Sequence, residues 1–172
     1  TTVTDGIFTS TSTYGYKTVN GVTTGEVTSY TVSVGGNTKN YTYTYDGRGN
    51  ITSIKLGNTT IASYSYDELG QLIWESVYNA SYPRSYEYFY DNRGNLTGRM
   101  EWAEPDGEFL GDNYYTYSGD KLISFNGSPI TYDSYGRTTS YRGKAISYYE
   151  YDFNRIQSIG GISFTYDADG MR

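Results

Sequence analysis

The chain contains no cysteine and no histidine. Their absence excludes Ser-His-Asp and Cys-His nucleophilic mechanisms and the common zinc sites. It also removes disulfides as a guide to compartment. Proline is scarce, at 3 residues. No run approaches the ~20 apolar residues that a transmembrane helix requires, and no charged-then-apolar leader opens the chain. The chain is therefore expected to be soluble, without membrane insertion and without an address of its own. A surplus of positive charge is missing too: 13 Lys and Arg stand against 19 Asp and Glu, giving a net charge of −6 and a pI near 4.6. Nucleic acid is not an expected partner, since phosphate binding needs a basic footprint.

What is abundant is tyrosine, with 23 residues, and glycine, with 21, in a chain of 172. That length suits one ordinary domain, and a compact body of this size would bury about 70% of its unfolded surface. Aliphatic residues are sparse, so tyrosine must supply much of the packing. Each ring is large and apolar and each hydroxyl wants a partner or water, which suits a thin sheet with wet margins. No segment shows a 3.6-residue periodicity, and the chain reads as all β. A cysteine-free chain rich in Thr, Ser, Asn and Tyr fits a bacterial secreted or surface protein. Six Asn-x-Ser/Thr sequons, at Asn40, Asn50, Asn58, Asn79, Asn95 and Asn126, are read as chance in such a composition.

One phrase returns along the chain: Tyr-Asp, two residues, Gly, one residue, then an aliphatic. It occurs as Tyr45, Asp46, Gly49, Ile51, again as Tyr66, Asp67, Gly70, Leu72, and again as Tyr90, Asp91, Gly94, Leu96. Weaker copies stand at Tyr132, Asp133, Gly136, Thr138 and at Tyr166, Asp167, Gly170, and contracted ones run from Tyr117 to Leu122 and from Tyr151 and Asp152 to Ile156. The anchoring tyrosines at 45, 66, 90, 117, 132, 151 and 166 are spaced by 21, 24, 27, 15, 19 and 15 residues. A fixed turn with a variable spacer is what stacked hairpins show when their far loops accept insertions. In Tyr41-Thr42-Tyr43-Thr44-Tyr45 the period is two, which defines a strand. The aspartate then accepts backbone N–H bonds in an Asx-type turn, the glycine takes the left-handed conformation, and the aliphatic residue returns to the same layer. In the contracted copies Gly119 and Asn154 are the candidates for positive φ.

Further hairpins are expected at Asn58-Thr59, at Pro105-Asp106-Gly107 and at Asn126-Gly127. Residues 1–40 lack the phrase, but residues 26–34 alternate and end in Gly35-Gly36, so 1–40 read as divergent or capping β-repeats continuous with repeats over 41–172. No linker composition marks a boundary. The final copy stops where its returning strand should begin, and the chain is expected to be a piece of a longer array with edge-to-edge self-association possible at its open strands.

The phrase is similar to the Rhs repeat, or YD-repeat, family, with Tyr45-Asp46-Gly47-Arg48-Gly49-Asn50-Ile51 and Tyr90-Asp91-Asn92-Arg93-Gly94-Asn95-Leu96 as its best copies. The resemblance covers about residues 41–172. It implies a coiled antiparallel β-sheet forming part of a hollow shell, as in bacterial polymorphic toxins, insecticidal toxin complexes, wall-associated proteins and teneurins. It also implies that the partners are further repeats and a C-terminal effector of the parent chain. The family's self-cleaving core segment has no matching positions here, so no catalytic residue is carried over.

Other chemistry was weighed beside this. Carboxylate pairs at Asp67/Glu68, Glu104/Asp106/Glu108 and Asp167/Asp169 could in principle serve glycoside hydrolysis, but the first and last belong to repeat turns and the middle one to an exposed hairpin tip. The stretch Asp167-Ala168-Asp169-Gly170 resembles the opening of a calcium loop without its closing glutamate. The Asp46-to-Asn50 stretch is a turn and not a phosphate loop, because no helix follows. No enzyme activity, cofactor or metal is expected. Trp74, Trp102, Tyr86 and Tyr88 are the candidates for a platform binding cell-surface carbohydrate, against the reading that they form cross-strand ladders.

Overall fold

The computed structural model describes residues 2–4, 9–78, 81–150 and 152–167. Among these there is no helix, so no helix is long and apolar enough to cross a membrane. Among the described residues seventeen strands follow one another, and in each of two antiparallel sheets the strand order is the chain order. The first sheet holds β1 (Thr2–Thr4), β2 (Thr9–Val19), β3 (Val22–Val34), β4 (Asn37–Tyr45), β5 (Ile51–Leu56), β6 (Thr59–Tyr66), β7 (Leu72–Val77), β8 (Arg84–Tyr90), β9 (Leu96–Ala103), β10 (Phe109–Ser118), β11 (Lys121–Phe125) and β12 (Ser128–Pro129). The second holds β13 (Thr131–Tyr132), β14 (Thr138–Tyr141), β15 (Lys144–Tyr149), β16 (Asp152–Ile159) and β17 (Ile162–Ser163). The all-β antiparallel hairpin fold read from the sequence is the fold observed. By compactness the chain divides into one unit of residues 1–88 with 100–111 and another of 89–99 with 112–172.

In the first unit the cross-strand register sorts the side chains by face, because directly opposed residues share one. Tyr14 opposes Tyr30 and Tyr30 opposes Tyr41, with ring centroids 4.9 and 6.0 Å apart. That face continues through Tyr43 opposite Ile54, Ile54 opposite Ala62, and Ala62 opposite Val77. The other face carries a row of hydroxyls in which Thr44, Ser53, Ser63, Ser76 and Ser85 oppose one another strand by strand. One face is aromatic and aliphatic; the other carries the hydroxyl row together with Trp74, two residues before Ser76 on β7.

Packing is thin. The buried apolar side chains among the described residues are Ala62, Phe125 and Ile130. In the second unit Phe125 is held between Tyr115 and Tyr141, at centroid distances of 5.3 and 6.0 Å, with the Arg142 guanidinium 4.9 Å from its ring. Most tyrosines are half-buried, as expected of a sheet whose rings cover one another in place of a deep core.

Two kinds of reversal alternate along the chain. At one end of the strands two-residue turns join them at Gly35-Gly36, Asn126-Gly127, Arg142-Gly143 and Gly160-Gly161, and a further one at Asn20-Gly21 joins β2 to β3 at the opposite end, all with positive φ at both positions, the mirror-image turns that match strand twist. Only Gly35-Gly36 and Asn126-Gly127 among these were read from the sequence. At the other end stand the phrase turns, in which Gly49, Gly70, Gly94 and Gly136 have φ of 91, 81, 86 and 81°. The second contracted copy differs from expectation. Tyr149 pairs with Asp152, so the chain reverses between those two residues, and Asn154 lies within β16 and not in a turn.

The two glycines of the first phrase turn separate conformation from space. A Cβ on Gly49 would have Glu26 Oε1 as its nearest neighbour, at an ordinary 3.8 Å, whereas one on Gly47 would meet nothing within 4 Å, and Gly47 does not have positive φ. Gly49→Ala is expected to cost about 1–2 kcal/mol through left-handed strain alone, while Gly47→Ala is neutral or stabilises by about 0.4–1 kcal/mol. Equal melting temperatures for the two variants would refute the turn assignment.

Candidate functional site

The repeated unit begins with an aspartate cage. Asp46 Oδ1 accepts the backbone N–H groups of Arg48 and Asn50, each at 2.9 Å. Asp67 Oδ1 accepts those of Leu69 and Gln71 at 2.9 and 2.8 Å. Asp91 does the same for Arg93 and Asn95, and Asp133 for Tyr135 and Arg137. In all four the aspartate N–H donates to the carbonyl four residues on, and the glycine N–H returns to the aspartate carbonyl. The second carboxylate oxygen is also engaged, by Asn50 Nδ2 on Asp46 and Asn95 Nδ2 on Asp91, both at 2.9 Å, and by Arg137 Nε on Asp133 at 2.6 Å.

These bonds favour the charged form. The Asn50 side chain and backbone hold the Asp46 carboxyl below its ordinary value, and Asn95 does so for Asp91. At Asp133 desolvation pushes upward, but the hydrogen bonds from Arg137 and Tyr135 outweigh it and the net shift is down.

A second device recurs along the strands. The pairing register shifts immediately before Tyr16, Tyr45, Tyr66, Tyr117, Tyr132 and Tyr148. A bulge at that place bends the strand and re-aims the side chain that follows it. These six tyrosines oppose Val27, Ile51, Leu72, Leu122, Thr138 and Ile156 respectively, which makes those residues the return positions.

The re-aimed hydroxyls reach back one repeat. Tyr45 donates to the Val27 carbonyl at 2.6 Å and Tyr66 to that of Ile51 at 2.9 Å. In the second unit Tyr132 donates to Leu122 at 2.6 Å, Tyr148 to Thr138 at 3.0 Å and Tyr166 to Ile156 at 3.0 Å. Every acceptor is the return residue of the preceding bulge pair. Tyrosine and not phenylalanine is required here because the hydroxyl ties neighbouring repeats.

Cations join the tie in the second unit. Lys121, Arg137 and Arg155 each stand one residue before a return position, and they lie 4.1, 4.5 and 5.3 Å from the ring centroids of Tyr132, Tyr148 and Tyr166. In the first unit Asn50 and Gln71 occupy that place. There Arg48 reaches forward instead, its Nη1 donating to the carbonyls of Asp67, at 3.3 Å, and of Glu68.

The residues singled out in the sequence are distributed as follows. Tyr45, Asp46, Gly49 and Ile51, and Tyr66, Asp67, Gly70 and Leu72, form complete turns. Tyr90 ends β8, Leu96 begins β9, and Asp91 and Gly94 lie between them in the same cage geometry. Tyr132, Asp133 and Gly136 form the fourth cage. Tyr166 is tied to Ile156, Asp167 is exposed, and Gly170 and Tyr151 lie outside the described residues. Asp152 opens β16, and the register gives Tyr148 the position sought at Tyr151.

The four aromatic platform candidates do not lie together. Trp74 opposes Glu87, whereas Tyr86 opposes Glu75, so Tyr86 and Tyr88 are on the face opposite Trp74. Trp74 stacks with Trp102 at 5.3 Å, and its indole N–H is engaged by the buried Ser76 at 2.9 Å. Ser76 in turn bonds Ser85 at 2.7 Å, and Ser85 donates to Glu104. Sequence reasoning missed Tyr16, Val27, Tyr148 and the three stacking cations. A Lys or Arg before a return residue was a visible signal, but its target was not.

Comparison with known proteins follows this geometry. The RHS Repeat family model matches residues 45–81, which hold the Tyr45 and Tyr66 phrases. Residues 45–81 carry an RHS repeat. No curated protein matches it in sequence. Among solved structures, the Tc holotoxin pore of Photorhabdus luminescens with a substituted TccC3 aligns at a TM-score of 0.63 and 16% identity, over 95% of this chain and 10% of that one. TcdB2-TccC3 without its hypervariable C-terminal region aligns at 0.64 and 17%, over 90% and 9%. TcdB2-TccC3-TEV aligns at 0.65 and 17%, over 95% and 10%. At these identities the likeness establishes a shared fold, and the chain spans about a tenth of each of those chains.

Two outcomes test the RHS repeat geometry. Tyr66→Phe removes one tie and leaves the Ile51 carbonyl without it, so it is expected to cost about 1 kcal/mol in denaturant unfolding, against less than about 0.5 kcal/mol for Tyr82→Phe, whose side chain is 75% exposed. An equal loss from both would remove the tie from the account. For the cages, the lowered folded values of Asp46, Asp91 and Asp133 mean stabilisation present above the unfolded value near 3.8 and lost as pH falls through the folded values. Melting temperatures taken from pH 6 to pH 2 should fall less steeply for Asp91→Asn than for the parent chain. Parallel curves would show that the Asp91 carboxylate is not part of the acid limb.

Proposed function

We propose that this RHS-repeat chain is a structural module, a stretch of wall in a large secreted bacterial Rhs-type protein whose repeats enclose and deliver a C-terminal toxin. The observation that carries this reading is where the polar groups of the phrase are used. Asp46, Asp67, Asp91 and Asp133 each accept two backbone N–H groups, and the phrase hydroxyls donate to backbone carbonyls. Carboxylates held this way serve the turn and are poorly placed to exchange protons with a substrate, which supports a role that is not enzymatic.

The organisation proposed is one continuous array, with 41–172 as the recognisable repeats and 1–40 as divergent ones. Tyr45 bonding the Val27 carbonyl, and Tyr16 following a register shift opposite Val27, support the continuity. Likeness to Tc toxin chains supports the class of parent protein, with further repeats and a C-terminal effector as the partners.

The test is made in the parent chain. The segment downstream of the repeats should resist added protease while the wall is intact and become cleavable when Asp46, Asp91 and Asp133 are replaced by Ala. Equal digestion in both forms would exclude enclosure.

A further inference from the structure

Five phenol hydroxyls, those of Tyr45, Tyr66, Tyr132, Tyr148 and Tyr166, each donate to the carbonyl of a preceding return residue at 2.6–3.0 Å. A sixth, Tyr149, donates to the Phe164 carbonyl at 2.7 Å. A carbonyl can only accept, so each of these contacts depends on the phenol keeping its proton. Once ionised, the same oxygen would face a carbonyl oxygen with no hydrogen between them, and attraction would become repulsion. We propose that the tie tyrosines make the sheet alkali-releasable: loss of the phenol protons unfastens successive repeats from one another while the aspartate-caged turns remain closed.

Each tie stands in its own electrostatic setting. Around Tyr66, burial comes first in raising the phenol above its ordinary value of 10.0, followed by Tyr64 on its own strand, Asp46 in the preceding turn and Glu75 on β7. Tyr45 faces Tyr43, itself raised by burial and by the surrounding phenols Tyr45, Tyr41, Tyr30 and Tyr14. Tyr132 lies under Lys121 and near Tyr117, Tyr148 lies under Arg137, and Tyr166 lies under Arg155 with Tyr149 edge-on at 6.1 Å. The three cations face the rings and not the carbonyls that the hydroxyls bond. They hold the rings in place but give the carbonyls no replacement donor.

The sign follows for Tyr66. A phenol whose ionisation is raised in the folded chain stabilises the fold at pH values below its unfolded value and ceases to do so as pH rises through the folded one. The caged aspartates are ionised throughout that range, so the turns are not affected. Acid therefore acts on the turns and alkali on the ties between them.

The test follows the full chain from pH 8 to pH 12, with phenol ionisation read by ultraviolet absorbance and strand content by circular dichroism. Strand content is expected to fall over the interval in which the buried phenols ionise and to return when the pH is lowered. Tyr66→Phe should reduce the protons released on alkaline unfolding by about one. Full retention of strand signal after all phenols have ionised would overturn the proposal, with or without the variant. So would an undiminished proton count in a Tyr66→Phe chain that folds. Neither outcome depends on enclosure, so failure of the wall reading and failure of this inference are told apart.

Discussion

A tyrosine hydroxyl donated to the backbone of the repeat before it, as at Tyr45, Tyr66, Tyr132, Tyr148 and Tyr166, is the contact on which the rest of this structure depends. A sheet with Ala62, Phe125 and Ile130 as its buried apolar residues cannot draw its order from a deep core, since burial contributes in proportion to area removed from water. Hairpin pairing alone fixes each strand to the next but leaves the phrase ends free to splay. The tie closes that freedom at one end of the strands, from Tyr45 to Val27, from Tyr66 to Ile51, and onward through Tyr132, Tyr148 and Tyr166. The bulge immediately before each bulge-pair tyrosine is its precondition, because an unbroken pleat would point the ring straight out of the sheet.

The two units build the same contact with different accessories. In the first, Asn50 closes its own aspartate cage and Arg48 reaches the next turn's carbonyls. In the second, Arg137 does both tasks, bonding Asp133 at 2.6 Å while its guanidinium lies 4.5 Å from the Tyr148 ring centroid. A planar cation with several donors can serve an anion at its edge and a ring at its face together. The residue before the return position therefore bears both on the closure of its own turn, as Asn50 and Arg137 do, and, where it is a cation, on the coupling of a repeat to its successor. Such nearest-neighbour coupling is what makes a repeat array behave as a one-dimensional chain of linked units.

The turns were legible in the sequence because their requirements are local. An aspartate two and four residues from the amides it accepts, and a glycine with φ near 81–91°, leave a mark within six residues. The hydroxyl ties were not legible, because donor and acceptor lie 10 to 18 residues apart across paired strands and their meeting depends on register. The same gap explains the last contracted copy: Tyr148, Tyr149 and Tyr151 all precede Asp152, and nothing local says which one follows the bulge. It also explains the aromatic candidates. Whether Trp74 shares a face with Tyr86 is decided by the pairing of Trp74 with Glu87, which composition does not reveal.

The irregular spacing of the phrase then has a structural cause. Tie, bulge and cage all sit at one end of the strands, while the opposite ends are joined by reversals that take no part in them, from the two-residue Asn126-Gly127 turn to the longer loop between Ala103 and Phe109. Extra residues at those far ends lengthen a hairpin without moving the hydroxyl that fastens it, and lengthening a loop costs little free energy. A sheet built this way can vary in loop size and strand length along its course while its tied repeats share one geometry. The separation between donor and acceptor varies from 18 residues at Tyr45 to 10 at Tyr166, yet the bond stays within 2.6–3.0 Å. What the five ties share is thus the meeting of a phenol and a carbonyl, and their period in residues is free to drift.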